Sequence, residues 1–183
     1  MKPTTLLIAL LLAATTFASA QDIQPAPANK AVVYFVRASS DGFLINFSYF
    51  DSASMIGIFA GKGYIRYECT PGKHIFWARS ENKDYVEANL EAGKIYFINA
   101  IVQMGLVKAQ VMLAAVDGKN PKKMKGLLKL LAKNPPMTMS DQDLKAKQEE
   151  FKPVIDRGLK EYYESRAGSK KTDKLNADMC YTK

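Results

Sequence analysis

The chain has 183 residues, is 48% hydrophobic and carries a formal net charge of +8. Its length suits one domain with an appendage, and its aliphatic and aromatic residues are plentiful enough for a sizeable core. It has one histidine and two cysteines. These three residues are too few to provide the clustered Cys and His ligands that are typical of a tetrahedral zinc site.

The first twenty residues predict a secretory signal peptide. Lys2 gives a positive start, residues 5–14 form an apolar run, and small residues precede a cleavage site between Ala20 and Gln21. The alternative is a membrane anchor. The apolar run is, however, shorter than the about 20 residues that a helix needs to span a bilayer. No later segment is long and apolar enough to span a membrane. No cysteine lies at the cleavage site, so nothing suggests a lipid anchor. We therefore expect an exported protein, periplasmic or secreted.

The middle of the chain predicts β-structure. Residues 21–29 are interpreted as a flexible leader, and residues 30–118 as a β-sandwich domain. Seven or eight short strands are predicted between turn signals, over residues 31–38, 43–50, 55–60, 64–69, 73–80, 85–91, 95–104 and 106–116. This spacing indicates an antiparallel sandwich in a mainly β, α+β chain. Several strands are apolar on both sides, so a further layer is expected to cover an outer face.

Residues 119–183 are the candidate for that layer, as a helical C-terminal extension. Asn120 is placed to cap a helix over residues 120–134, whose apolar side is predicted to hold Met124, Leu127, Leu128 and Leu131. A second helical stripe starts at Ser140. Pro153 lies within this stripe and is expected to kink it or split it into two helices.

Positive charge is concentrated in the first of these helical segments. Residues 21–118 hold nine basic and nine acidic side chains, so this part is neutral. The next fifteen residues hold no acid and six lysines, Lys119, Lys122, Lys123, Lys125, Lys129 and Lys133. The favoured interpretation is that the leucines pack on the sheet and the lysines keep the outer face hydrated. The alternative is an interfacial helix that binds anionic lipid or another acidic partner. Nucleic acid is a poor candidate, because export separates it from the protein and no base-stacking aromatic residues adjoin the lysines.

The two cysteines predict a disulfide. Export favours disulfides, and Cys69 and Cys180 form the one pair available. Closing a loop of about 100 residues is worth roughly 4–5 kcal/mol in the chain-entropy model. The alternative is two unpaired thiols.

The chain's histidine and tryptophan lie close to the first cysteine. A Cys69–His74 nucleophilic pair is one hypothesis for this stretch. The favoured one is structural: Pro71 and Gly72 turn a hairpin, and His74 and Trp77 point to opposite faces of the strand that follows, with Trp77 beneath the helical layer. No catalytic motif or phosphate-binding glycine loop occurs elsewhere, so no catalytic residue, metal or cofactor is predicted.

Two short motifs resemble a known family. Pro71, Gly72 and His74 form the first motif. The second motif consists of Leu90, Ala92, Gly93 and Tyr96. Over about residues 30–105 the chain resembles uncharacterised bacterial exported domains, similar to the PEGA-type β-sandwich. The resemblance implies a sandwich fold and an envelope location, and it implies no reaction. The chain departs from the many lipoprotein members in lacking a cysteine at the cleavage site.

These observations predict an exported, non-enzymatic binding or structural module of the bacterial envelope. The partners considered are an envelope protein, an anionic lipid surface and a glycan. A polysaccharide-binding module and a thiol-dependent envelope enzyme using Cys69 and His74 are the further alternatives.

Overall fold

The computed structural model describes residues 23–104 and 109–182. The predicted signal peptide, with its cleavage site at Ala20 and Gln21, lies outside the described residues. Within the described residues, nine strands and two long helices are seen. The strands are β1 (Ala31–Arg37), β2 (Asn46–Asp51), β3 (Ser54–Ala60), β4 (Gly63–Cys69), β5 (Gly72–Arg79), β6 (Lys83–Leu90), β7 (Ile95–Met104), β8 (Ala109–Val116) and β9 (Asp173–Leu175). The helices are α1 (Pro121–Leu131) and α2 (Asp141–Glu161).

The strands form two sheets that pack as a sandwich, as the turn spacing predicts. One sheet has the order β4-β1-β7-β8 and the other β3-β2-β5-β6-β9. The prediction of a purely antiparallel sandwich is wrong, because β1 pairs with β7 and β6 with β9 in parallel. The link from β6 to β7 passes from one sheet to the other. Strand β7 therefore lies beside β1 and runs parallel to it.

The turn at Pro71 and Gly72 is an arch between sheets, which corrects the predicted hairpin. The strand before it, β4, pairs with β1, whereas β5 pairs with β2 and β6. Gly72 has a φ of 123° in this arch, a conformation that only glycine adopts readily. The arch therefore positions the end of β4 and the start of β5 on opposite layers of the sandwich.

The inner faces of the sheets form the largest apolar cluster. It includes Phe35, Tyr49, Phe76, Tyr96 and Ile98, all with no exposed surface. The predicted alternation of β5 is confirmed, since Phe76 and Ala78 face this core while Trp77 lies in a separate cluster outside it. Strand alternation alone thus assigns each side chain to a layer.

Each helix covers the outer face of a different sheet. In α1, Met124, Leu127, Leu130 and Leu131 are buried against the four-stranded sheet, and Leu128, predicted on this side, is partly buried. Side chains of α2 cover Phe50, Trp77 and Tyr85 of the five-stranded sheet. Pro153 lies inside α2, which continues unbroken for 21 residues, so the predicted split does not occur. The chain is a four-layer sandwich rather than one with a single helical cover.

Candidate functional site

His74 is hydrogen-bonded through both ring nitrogens. Its Nδ1 lies 2.8 Å from Asp51 Oδ2 and its Nε2 lies 2.8 Å from the carbonyl oxygen of Thr70. Both partners are acceptors, so each nitrogen carries a hydrogen and the ring is an imidazolium. The hydrogen bond to Asp51, followed by one with the Cys69 side chain, raises the pKa of His74 to about 10. The hydroxyl of Tyr67 donates to the same oxygen of Asp51 at 3.1 Å.

This cluster joins the two layers of the sandwich. Tyr67 belongs to β4 of one sheet, while Asp51 and His74 belong to β2 and β5 of the other. A histidine that is already protonated, with both N–H groups committed, does not accept a proton from a nucleophile. The geometry therefore suits a structural role across the arch and does not suit a general base. We call this group of Asp51, Tyr67 and His74 the clamp.

The predicted disulfide is absent, which corrects the bridge between Cys69 and Cys180. Both are free thiols, buried in the core cluster between the sheets. The Sγ of Cys69 lies 3.8 Å from the carbonyl oxygen of Ala31. Backbone hydrogen bonds hold the tail instead: Tyr181 N–H donates to Ile95 at 2.7 Å, and Gly118 N–H donates to Met179 at 2.9 Å. With the tail fixed in this way, closure of the fold does not depend on a bridge.

The second motif also serves an arch, between β6 and β7. Gly93 has a φ of 71°, and its N–H donates to the carbonyl of Lys30 at 2.7 Å, while Ala92 beside it is exposed. The hydroxyl of Tyr96 accepts the N–H of Glu91 at 3.0 Å and donates to the tail carbonyl of Ala177 at 3.2 Å. Each of the two motifs therefore forms one of the two connections between the sheets at this end of the molecule.

Trp77 is fully buried beneath α2, as predicted. Its ring stacks on Phe50 with the ring centres 4.0 Å apart, and its Nε1 donates to the carbonyl of Ser52 at 2.9 Å. Gly158 of α2 lies directly over it, where an added Cβ would come within 2.7 Å of the indole. The absence of a side chain at Gly158 thus allows the helix to lie close against the indole.

An open groove of about 580 Å³ lies on the same outer face, past the end of α2. Outward-facing side chains of β5, β6 and β9 line its floor. The strand register pairs Lys73 with Asn89, Ile75 with Glu87, and Glu87 with Lys174. These side chains therefore form two adjacent rows. One row holds Ile75, Glu87 and Lys174 across three strands, and the other holds Lys73 and Asn89 across two.

Two tyrosines from the turn after α2 form a wall of the groove. This turn is π-helical over Tyr162–Arg166. The hydroxyl of Tyr162 donates to Glu87 Oε1 at 3.0 Å, and the N–H of Gly168 donates to the same oxygen at 2.6 Å. Burial, together with the bond to this carboxylate, raises the pKa of Tyr162 to about 12. The ring of Tyr163 meets that of Tyr162 edge to face and is 66% exposed.

The groove presents positive charge and hydrogen-bonding groups. Lys73 and Lys174 are exposed, and neither forms an ion pair within residues 23–104 and 109–182. The carboxylate of Glu87 is engaged by two donors, while Asn89 and Asn176 add amides. An exposed aromatic face, amides and cations suit a hydroxylated ligand that carries negative charge. The sequence pattern did not identify this groove, since it shows neither where α2 ends nor that a ninth strand joins the sheet.

The six lysines of the basic segment are all exposed. They are Lys119, Lys122, Lys123, Lys125, Lys129 and Lys133, and none pairs with a carboxylate in the part of the chain that is described. The apolar side of α1 is buried in the fold. The helix therefore cannot insert that side into a lipid surface while it stays docked, but its lysines remain free to meet acidic groups.

Across the described ranges, no group of three His, Cys, Asp or Glu side chains is placed to hold a metal ion, and no helix is long and apolar enough to cross a membrane. No family model matches the chain, and no curated protein is significantly similar to it. The resemblance to PEGA-type domains therefore stays a prediction.

Proposed function

We propose that this chain is a non-enzymatic binding module of the bacterial envelope and that its groove binds an acidic glycan. The observation that carries the proposal is the groove itself, which is about 580 Å³ in volume and open to solvent beside the exposed ring of Tyr163. Sugar rings pack on aromatic faces, and the hydroxyl groups bond to amides and charged side chains.

The charge of the groove favours a ligand with carboxylate or phosphate groups. Lys174 lies directly opposite Glu87 in the same row, and Lys73 lies in the adjacent row opposite Asn89. Glu87 accepts from Tyr162 and Gly168, so its charge is partly compensated within the fold. Two lysines with no protein partner then remain to bind an anion through charge-assisted hydrogen bonds.

The thiol-dependent enzyme is the weaker alternative. Cys69 is only 5% exposed and is not among the residues that line the groove. Both ring nitrogens of His74 are hydrogen-bonded within the fold, to Asp51 and to the carbonyl oxygen of Thr70, so neither is free to take a proton from a thiol. These contacts support a structural role for the pair.

Calorimetric titration with oligogalacturonate tests the acidic-glycan assignment. The same oligosaccharide with methyl-esterified carboxyls is the matched uncharged ligand. We expect the acid form to bind more tightly, and we expect K73Q/K174Q to lose about tenfold or more in affinity for it. Y163A should weaken both forms, because it removes the aromatic face.

Lys170 supplies the matched control. It is exposed near the same turn but does not line the groove, so K170Q should bind as the wild type does. Equal affinity for the acid and the ester would remove the anion-binding part of the proposal. An absence of binding to both forms and to soluble muropeptides would overturn the glycan assignment.

Export is a separate part of the proposal, supported by the charged start, the apolar run and the small residues before Gln21. Expression in a bacterium, followed by fractionation and N-terminal sequencing, tests it. We expect mature protein outside the cytoplasm to start at Gln21. Full-length chain retained in the cytoplasm would contradict export without affecting the groove.

A further inference from the structure

A tight turn presents two large apolar side chains to solvent. The N–H of Ile45 donates to the carbonyl of Gly42 at 2.8 Å, which makes Phe43 and Leu44 the central residues of the turn. Phe43 is 64% exposed and Leu44 is 78% exposed. Such positions usually hold Gly, Pro, Asn or Asp. Gly42 has a φ of 57°, and a Cβ there would lie 2.8 Å from Ile45, so the turn depends on glycine.

A buried arginine holds this turn in place. Arg37 has no exposed surface, and its guanidinium donates to the carbonyls of Asp41, Gly42 and Ile45 at 2.6–2.8 Å. It also lies over the ring of Phe47, 4.3 Å from the ring centre. Burying a guanidinium is costly unless it is well bonded. The fold thus fixes the carbonyls on both sides of an apolar tip that itself stays outside the core.

The tip and the end of the lysine-bearing helix lie at the same end of the sandwich. A Cβ on Gly61 would lie 3.4 Å from the carbonyl oxygen of Phe43, so the turn rests on the link between β3 and β4. Lys62, the next residue, is exposed. At the start of β4, Tyr64 donates its hydroxyl to the carbonyl of Asn134, the residue after Lys133.

A third apolar side chain lies at the same junction. The N–H of Met137 donates to the carbonyl of Tyr64 at 2.7 Å, and Met137 is 40% exposed. A Cβ on Gly63 would come within 2.9 Å of Met137 Cε. One acidic residue, Asp41, lies in the turn region, and its carboxylate accepts from the hydroxyl of Ser39 at 2.5 Å. Exposed apolar groups and cations thus lie at the same end of the sandwich.

We propose that this end docks on an anionic lipid surface, with Phe43 and Leu44 entering the membrane interface while Lys62, Lys129 and Lys133 contact headgroups. Large apolar side chains next to cations are the chemistry that peripheral binding to anionic bilayers requires. The tip enters the interface in place of the apolar side of α1, which is committed to the core. This site is distinct from the groove, which lies on the outer face of the other sheet.

Vesicle binding tests the proposal, with vesicles of phosphatidylcholine alone and vesicles that also contain phosphatidylglycerol. We expect binding to the anionic vesicles only, weakened by salt. F43S/L44S should reduce the partition coefficient by at least about tenfold. K62Q/K129Q/K133Q should reduce it by about fivefold per lysine at low salt. K170Q, which removes an exposed lysine outside both sites, is the matched control for the lysine variant and should bind as the wild type does.

Fluorescence locates the contact. The native Trp77 is fully buried and gives a constant background. A tryptophan in F43W should shift to the blue on anionic vesicles and be quenched by brominated lipid, whereas one in K170W should do neither. Binding that depends on the lysines without a response from F43W would overturn insertion of the tip. Equal binding by F43S/L44S and the wild type, or no binding to either vesicle, would overturn the site itself.

Discussion

The two ends of β5 lie on the same outer face and meet different surroundings. At one end Trp77 is covered by α2, with Gly158 against its indole. At the other, Lys73 is exposed in the groove. Strand β6 repeats the contrast, with Tyr85 buried and Asn89 exposed. The outer face of this sheet is therefore core where the helix lies and an open, polar surface where the helix has ended.

The inner strand β1 of the four-stranded sheet has no such division along its outer side. Val32, Tyr34 and Val36 of β1 are all buried on its outer side, together with Ile95 and Phe97 of β7. Apolar side chains thus continue along the whole outer side of β1, where α1 closes the sheet, whereas the outer side of β4 passes from buried Tyr64 to exposed Glu68. The change from apolar to polar side chains along β5 and β6 thus marks the candidate site.

The largest expected effect lies at the covered end. Trp77→Ala removes the indole beneath α2, so we expect a loss of about 3–5 kcal/mol in the free energy of unfolding. Urea unfolding followed by circular dichroism measures it. K73A at the open end of the same strand should stay within about 0.5 kcal/mol of the wild type. Equal losses for the two variants would contradict the division of β5 into a covered and an open end.

The clamp at His74 should contribute a smaller, pH-dependent part of stability. We expect H74Q to lose roughly 2–3 kcal/mol, because it removes a charged hydrogen bond to Asp51. The pKa of His74 is raised from 6.5 to about 10 by folding. Its stabilisation is therefore complete below pH 6.5 and is lost as the pH rises through about 10.

Urea unfolding of the wild type and H74Q across that pH range tests the clamp. The difference between the two should shrink as the pH rises. W77A provides the comparison, since removal of apolar contacts should cost about the same at each pH. A difference for H74Q that stays constant over the range would show that the ring is not held as an imidazolium.

The contact between α2 and the sheet gives a smaller effect. G158A places a methyl group within 2.7–3.1 Å of the Trp77 ring, so the helix has to move outward. We expect a loss of about 1–3 kcal/mol from overpacking. Gly126 of α1 has open space around it, and G126A should stabilise that helix by about 0.5–1 kcal/mol. A neutral G158A in thermal unfolding would indicate that the helix is less closely packed than described.

Alternation and turn residues were enough to predict most of the sandwich. The assignment of His74 and Trp77 to opposite faces follows from a period of two and is confirmed. The arch at Pro71 and Gly72 was predicted as a hairpin because a turn signal does not say which sheet the next strand joins. The short strand β9 has only three residues, too few for a pattern.

The candidate sites were harder to predict, for physical reasons. The groove combines Lys73 and Asn89 with Lys174 and Tyr163, which lie far apart in the chain and meet only through the register of β6 with β9. Cys69 is a rare and reactive residue type and therefore a conspicuous candidate in the sequence. Its thiol is nevertheless buried and forms no disulfide. Common residues in an open position carry the proposed function.

Amide NMR during titration with oligogalacturonate tests the binding surface most directly. The account predicts concentration-dependent shifts confined to the groove, at Lys73, Asn89, Tyr163 and Lys174, with α1 and the turn at Phe43 unchanged. Shifts centred on the lysines of α1, or no shifts in the groove at saturating oligosaccharide, would contradict it.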